Sequence, residues 1–214
     1  RVPALAEMLV GSLCETTTGP FADFRLDDEE WYELRIAAWL HDCGKVTTPV
    51  HVMDKATKLE TITDRIDQVR SRFAVLERDA KIACLEAIAA GTPRAEAEAA
   101  YEEEVRRLRD DLAFLEQANV GGEFLSPEKQ ARIAAIGQRR VRLLDGEVPL
   151  LNDDEVENLS ISRGTLTQAE RLIINGHMVE TVKMLEALPF PRHLSRVPEY
   201  ACGHHEKMDG TGYP

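Results

Sequence analysis

The chain has 214 residues, with 26 Lys and Arg against 38 Asp and Glu, for a formal net charge of −12. That length suits one large domain or two small ones, and the acidity excludes a nucleic-acid duplex as the main partner, because phosphate-backbone binding needs clustered Lys and Arg. With 43% hydrophobic, 30% charged and 6% aromatic residues, the composition is that of a soluble helical chain rather than a fibrous, disordered or all-β one.

Leu5, Met8, Leu9 and Leu13 recur at helical spacing until Thr16 to Pro20 breaks the pattern. Asp27 and Glu30 form a capping box for a helix carrying Trp31, Leu34, Ala38 and Trp39, which delivers His41-Asp42 near its C-terminal end before Gly44 and Pro49 lead into a loop. From Leu59 the pattern changes. Ile62, Ile66, Val69, Phe73, Leu76, Ala80, Ala83 and Ala87 alternate spacings of four and three, a heptad seam that ends at Gly91. A second seam runs through Tyr101, Val105, Leu108, Leu112 and Leu115 to Gly121-Gly122. Two such seams predict an antiparallel helical hairpin, closed within one chain or paired between chains as a homodimer. The charges from Glu102 to Asp111 read as its solvated face.

Ser126-Pro127 starts a further helix expected to run towards Leu144, and residues 145–164 read as a loop from their Gly, Pro, Asn and Asp. Thr167 and Glu170 form a second capping box, opening a helix through Leu172, Ile173, His177 (mid-helix), Val182 and Leu185. Tyr200 to Glu206 read as a last helix before the turn at 209–212. No stretch alternates with period two long enough for a strand, so the fold class is all-α. No apolar run approaches the ~20 residues that cross a bilayer. Cys14, Cys43, Cys84 and Cys202 form no C-x-x-C pair, and a reducing cytoplasm is the simplest setting. The chain starts at Arg1 and ends at Pro214, which reads as a fragment of a longer protein and leaves room for sensor or membrane segments outside it.

His41-Asp42, His177 and His204-His205 are chemically suggestive, since imidazole and carboxylate suit Fe, Mn or Zn. Two such ions about 3.5–4 Å apart can hold both oxygens of a phosphoryl displacement. Each piece alone has a blander reading: a surface or capping pair, a satisfied core histidine, a polar loop. Cys43 reads as a small buried residue, and His51 and His193 as surface residues.

In combination, Leu40-His41-Asp42-Cys43-Gly44-Lys45 resembles the H-D-x-G-K signature of the HD phosphohydrolase superfamily. His204-His205-Glu206 followed by Asp209-Gly210-Thr211-Gly212-Tyr213-Pro214 resembles the H-H-E…D-G-x-G-Y-P signature of its HD-GYP branch. The resemblance covers residues 1–58 and 160–214, as an HD-type helical bundle interrupted by a helical insertion at 59–159. It implies a metal-dependent phosphodiesterase that hydrolyses cyclic di-GMP to the linear dinucleotide or GMP by a metal-bridging water, with two or three divalent ions of iron or manganese type. His41, Asp42, His177, His204 and His205 would be ligands, Asp42 bridging; Lys45 would contact a substrate phosphate. Gly210, Gly212 and Tyr213 would line the substrate side, a loop also open to a signalling-protein partner. The family's further ligands precede an Arg-Val pair and follow Gly-Tyr-Pro, so the 214 residues alone are expected to hold metal weakly and hydrolyse poorly. The competing reading is a catalytically silent module that binds a cyclic dinucleotide or a protein; the intact ligand set argues against it.

Overall fold

The computed structural model describes residues 1–144 and 146–213. It is mostly helical, with a single two-stranded sheet among the described residues. Its contacts divide the chain into two compact units, Arg1–Pro49 with Leu172–Pro214, and Val50–Arg171. None of the described helices is long and apolar enough to cross a membrane.

The first unit holds α1 (Val2–Glu15), α2 (Asp28–Leu40), a 3-10 turn at Cys43–Thr47, α9 (His177–Glu186), α10 (Val197–Cys202) and a 3-10 turn at Gly203–His205. The capping box expected of Asp27 and Glu30 is present in both directions, each side chain taking the other's backbone N–H at 2.9 Å. Ala37 of α2 packs on Leu185, Val197 and Ala201, with Leu40, Phe190 and Leu194 around them. Buried Glu33 accepts the Arg196 N–H at 2.6 Å, which ties the start of α10 to α2.

The second unit holds α3 (Val50–Met53), α4 (Ile66–Ala89), α5 (Arg94–Val120), α6 (Pro127–Gly137), strands β1 (Arg140–Leu143) and β2 (Gly146–Pro149), and α7 (Asp153–Leu159). α8 (Gln168–Asn175) crosses from this unit to the first. α4 and α5 are antiparallel, since Arg70 pairs with Glu116, Glu77 with Arg109, and Lys81 lies over Tyr101. The seams therefore close on each other within one chain, around Val69, Phe73, Leu108 and Leu115. The hairpin's flanks belong to the same unit. Lys55 Nζ binds Asn158 and Glu170 at 2.8 Å, and fully buried Lys58 donates to the carbonyls of Leu159 and Ile161.

Several expectations need correction. Ile62 lies ahead of α4 and is 93% exposed, and at the far end the seam passes through buried Cys84 rather than exposed Ala83, because a 3.6-residue turn drifts against a strict heptad. α6 stops at Gly137 instead of running towards Leu144, and the chain turns into a β-hairpin pairing Arg140 with Pro149 and Leu143 with Gly146. Its signal was present as Asp145-Gly146 between Val141 and Val148. The expected 145–164 loop contains α7, whose Asn152–Glu155 capping box was hidden by a loop-like composition. The last helix spans Val197–Cys202, earlier than expected.

Candidate metal centre

Every candidate ligand lies in the first unit. α2 ends at Leu40, so His41 is its C-cap, and Asp42 leaves the helix with φ −112° and ψ 15°. Lys45 therefore sits on the 3-10 turn rather than on a continuation of α2, yet its Nζ still reaches Asp42 Oδ2 at 2.7 Å. His177 is the first residue of α9, not a mid-helix residue, because α8 and α9 break at Gly176. His204 and His205 lie on the Gly203–His205 turn after α10.

The imidazoles are oriented by backbone. His41 Nδ1 bonds the Ala38 carbonyl and His204 Nδ1 the Ala201 carbonyl, both at 2.7 Å, and His177 Nδ1 bonds the Ile174 carbonyl. In each pair the carbonyl lies three residues earlier and can only accept, so Nδ1 carries a proton and the neutral form of the ring has its lone pair on Nε2. Those lone pairs converge on one carboxylate. Asp42 Oδ1 lies 3.3 Å from His177 Nε2 and 3.6 Å from His204 Nε2, while Oδ2 lies 3.0 Å from His41 Nε2. The rings of His204 and His205 are 4.2 Å apart, and those of His177 and His205 5.3 Å apart.

Asp42 Oδ1, His177 Nε2 and His205 Nε2 are buried with no hydrogen-bond partner among the described residues. Leaving such atoms unmet costs about 1–3 kcal/mol each. A divalent cation meets all three at once, and ligand atoms of Asp42, His177, His204 and His205 lie within 4.8 Å of one another. The imidazole and carboxylate donors fit an Fe, Mn or Zn ion. Burial pushes the Asp42 carboxyl up, but the Lys45 hydrogen bond and charge, joined by His41 and His204 whenever those rings are protonated, hold it below its ordinary value. Burial and the neighbouring His204 and His177 push His205 down. Both shifts favour the deprotonated, metal-binding forms.

The loop after His204-His205 is folded by Glu206, whose Oε1 accepts the N–H groups of Lys207 and Gly212. Gly210 has φ +74°, a left-handed conformation that glycine adopts without strain. Gly212 is required for another reason: a methyl there would overlap the His205 carbonyl and come within 2.5 Å of Glu206 Oε1. Tyr213 stacks on the His205 ring, centroids 4.5 Å apart and planes at 14°. Pro214, which completes the motif, lies outside the described residues. Cys43 is half-buried rather than buried, and His51 and His193 are exposed. Sequence reasoning passed over Thr181, which is fully buried and accepts the Gly44 N–H. Its signal was its place one helical turn beyond His177.

No curated protein and no solved structure matches the chain. Residues 153–214 match a family model described as an HD domain. That stretch carries His177, His204 and His205, while His41 and Asp42 lie outside it and are brought to it by the fold of the first unit. The match supports an HD-type domain of the metal-dependent phosphohydrolase kind.

Proposed function

We propose that the chain is a metal-dependent phosphodiesterase acting on a cyclic dinucleotide, with cyclic di-GMP the substrate and the linear dinucleotide or GMP the product. The observation that carries the hydrolytic reading is the set of carbonyl-anchored histidines turning bare Nε2 atoms onto the two oxygens of Asp42. The choice of substrate rests on the resemblance of residues 204–214 to the HD-GYP signature.

His41, His177, His204 and His205 would hold two divalent ions, of iron or manganese type, with Asp42 shared between them. Bound there, such ions supply Lewis acidity, lowering the pKa of water and neutralising charge on phosphoryl oxygens. The carbonyl bonds to Nδ1 of His41, His177 and His204 keep those three rings from turning, so their donor atoms need no rearrangement on binding. Asp42 remains ionised at neutral pH and brings negative charge to a cluster of otherwise neutral ligands. Lys45, partly exposed beside Asp42, keeps two ammonium protons for a phosphate oxygen besides the one given to Asp42, a local attraction within a chain of charge −12. The 206–213 loop, exposed over most of its length, is where the substrate and a signalling protein would meet the site.

The test is product analysis. Purified chain with Mn2+ is incubated separately with cyclic di-GMP, with a mixed cyclic dinucleotide and with GMP, and the products are resolved by chromatography. Slow formation of linear dinucleotide or GMP from cyclic di-GMP, with GMP itself untouched, is the expected result. Phosphate released from GMP while cyclic di-GMP survives would contradict the substrate class.

A further inference from the structure

We propose that Thr181 is a positioning residue for the metal centre: its hydroxyl fixes the register between the turn that follows Asp42 and the helix that begins with His177. The inference rests on the metal reading above. Gly44, two residues after Asp42, donates its N–H to Thr181 Oγ1 at 3.0 Å, and Thr181 is fully buried. The Gly44 carbonyl is also taken, by the Thr47 hydroxyl at 2.8 Å. Both backbone polar groups of Gly44 thus end on threonine hydroxyls, the carbonyl within the turn and the N–H across to α9.

The approach is as close as backbone allows. A methyl group at Gly44 would overlap the His177 carbonyl oxygen and lie 2.5 Å from the Thr181 nitrogen and 2.6 Å from its hydroxyl. Gly44 is needed here for want of a side chain, and Thr181 for its acceptor. Together they hold the turn flush against the first turn of α9, and the 3.3 Å separation of Asp42 Oδ1 from His177 Nε2 follows. The donors are pre-set, so the cation need not pay to assemble them. Partners that orient metal ligands in this way typically affect affinity about 10–100-fold.

The experiment compares Thr181→Val, which keeps the shape and removes the acceptor, with Thr181→Ser, which keeps the acceptor. Mn2+ affinity is read by calorimetry. Exchange of the Gly44 amide is read by NMR in metal-free protein, and thermal melting checks the fold. Thr181→Val should release the Gly44 amide to exchange and weaken Mn2+ binding about 10–100-fold. Thr181→Ser should stay within ~3-fold of wild type on the free-energy scale of a weak perturbation. If the valine variant does not fold, Thr181→Ala against Thr181→Ser makes the same comparison. Undiminished Mn2+ affinity without the hydroxyl, or an equal loss in the serine variant, overturns the proposal. Wild-type protein that takes up no Mn2+ overturns the metal reading beneath it, a result recognisable because it appears in the unmutated chain.

Discussion

Lys58 should make the stability of the chain rise with pH. Its side chain is 1% exposed, and its Nζ donates to the Leu159 and Ile161 carbonyls at 2.9 and 2.8 Å, with no carboxylate pairing it among the described residues. Burial pushes its pKa from 10.5 down to about 8. Between those values the unfolded chain holds a proton that the folded chain has released, so stability increases as pH rises through this window and the cost of the buried charge is present in full below it. At about 1.4 kcal/mol per pH unit, the gap between 10.5 and about 8 sets an upper bound of about 3 kcal/mol. Two carbonyl acceptors favour the ammonium and make the realised effect smaller. Lys58→Met removes the titration and leaves a constant offset from the two unpaired carbonyls. Urea unfolding of both proteins, followed by circular dichroism from pH 7 to pH 10, isolates the lysine, because other groups cancel in the difference. The difference should move in favour of the wild type by about 1–3 kcal/mol. A difference flat to within about 0.5 kcal/mol, the accuracy of such extrapolations, or one that falls with pH would refute the reasoning.

Two further outcomes follow from the packing. Tyr213→Leu removes the ring stacked on His205, a contact of about 0.5–1.5 kcal/mol; Mn2+ affinity should fall by up to about tenfold, and an unchanged titration would show that the stack does not brace the ligand. Glu155 is buried and held by both terminal nitrogens of Arg72, so Glu155→Gln should cost about 3–5 kcal/mol in urea unfolding. The double variant Arg72→Met, Glu155→Gln should lose less than the two single losses together, and strict additivity would count against the pair.

Much of the candidate site could be read from residue order because its ligands come as dense local signals. His41-Asp42 stands at the end of a capped helix and His204-His205 beside a glycine-rich turn, and both patterns survive translation into coordinates. What sequence reasoning lacked was the third dimension. Thr181 is one residue among many in an amphipathic helix until Gly44 is found against it. The helix break at Gly176 was hidden because residues on both sides keep helical periodicity, while the Ile174 carbonyl is taken by the His177 ring. The β-hairpin and α7 were missed for the opposite reason: short elements rich in Gly, Asn and Asp look like loop until their caps and pairings are seen. The helical hairpin was legible because a heptad repeated over many turns outweighs local propensity, and its errors sit at the ends, where the period drifts.

The account turns on Asp42 and the histidines around it holding metal for phosphodiester hydrolysis. The direct measurement is metal analysis of purified wild type and Asp42→Ala after incubation with Mn2+, paired with chromatography of cyclic di-GMP products from the same samples. Metal bound under excess Mn2+ and slow cleavage of the dinucleotide in the wild type, with both lost in a variant that melts like it, is the predicted result. A wild type free of metal, or a variant that still cleaves, would contradict the account.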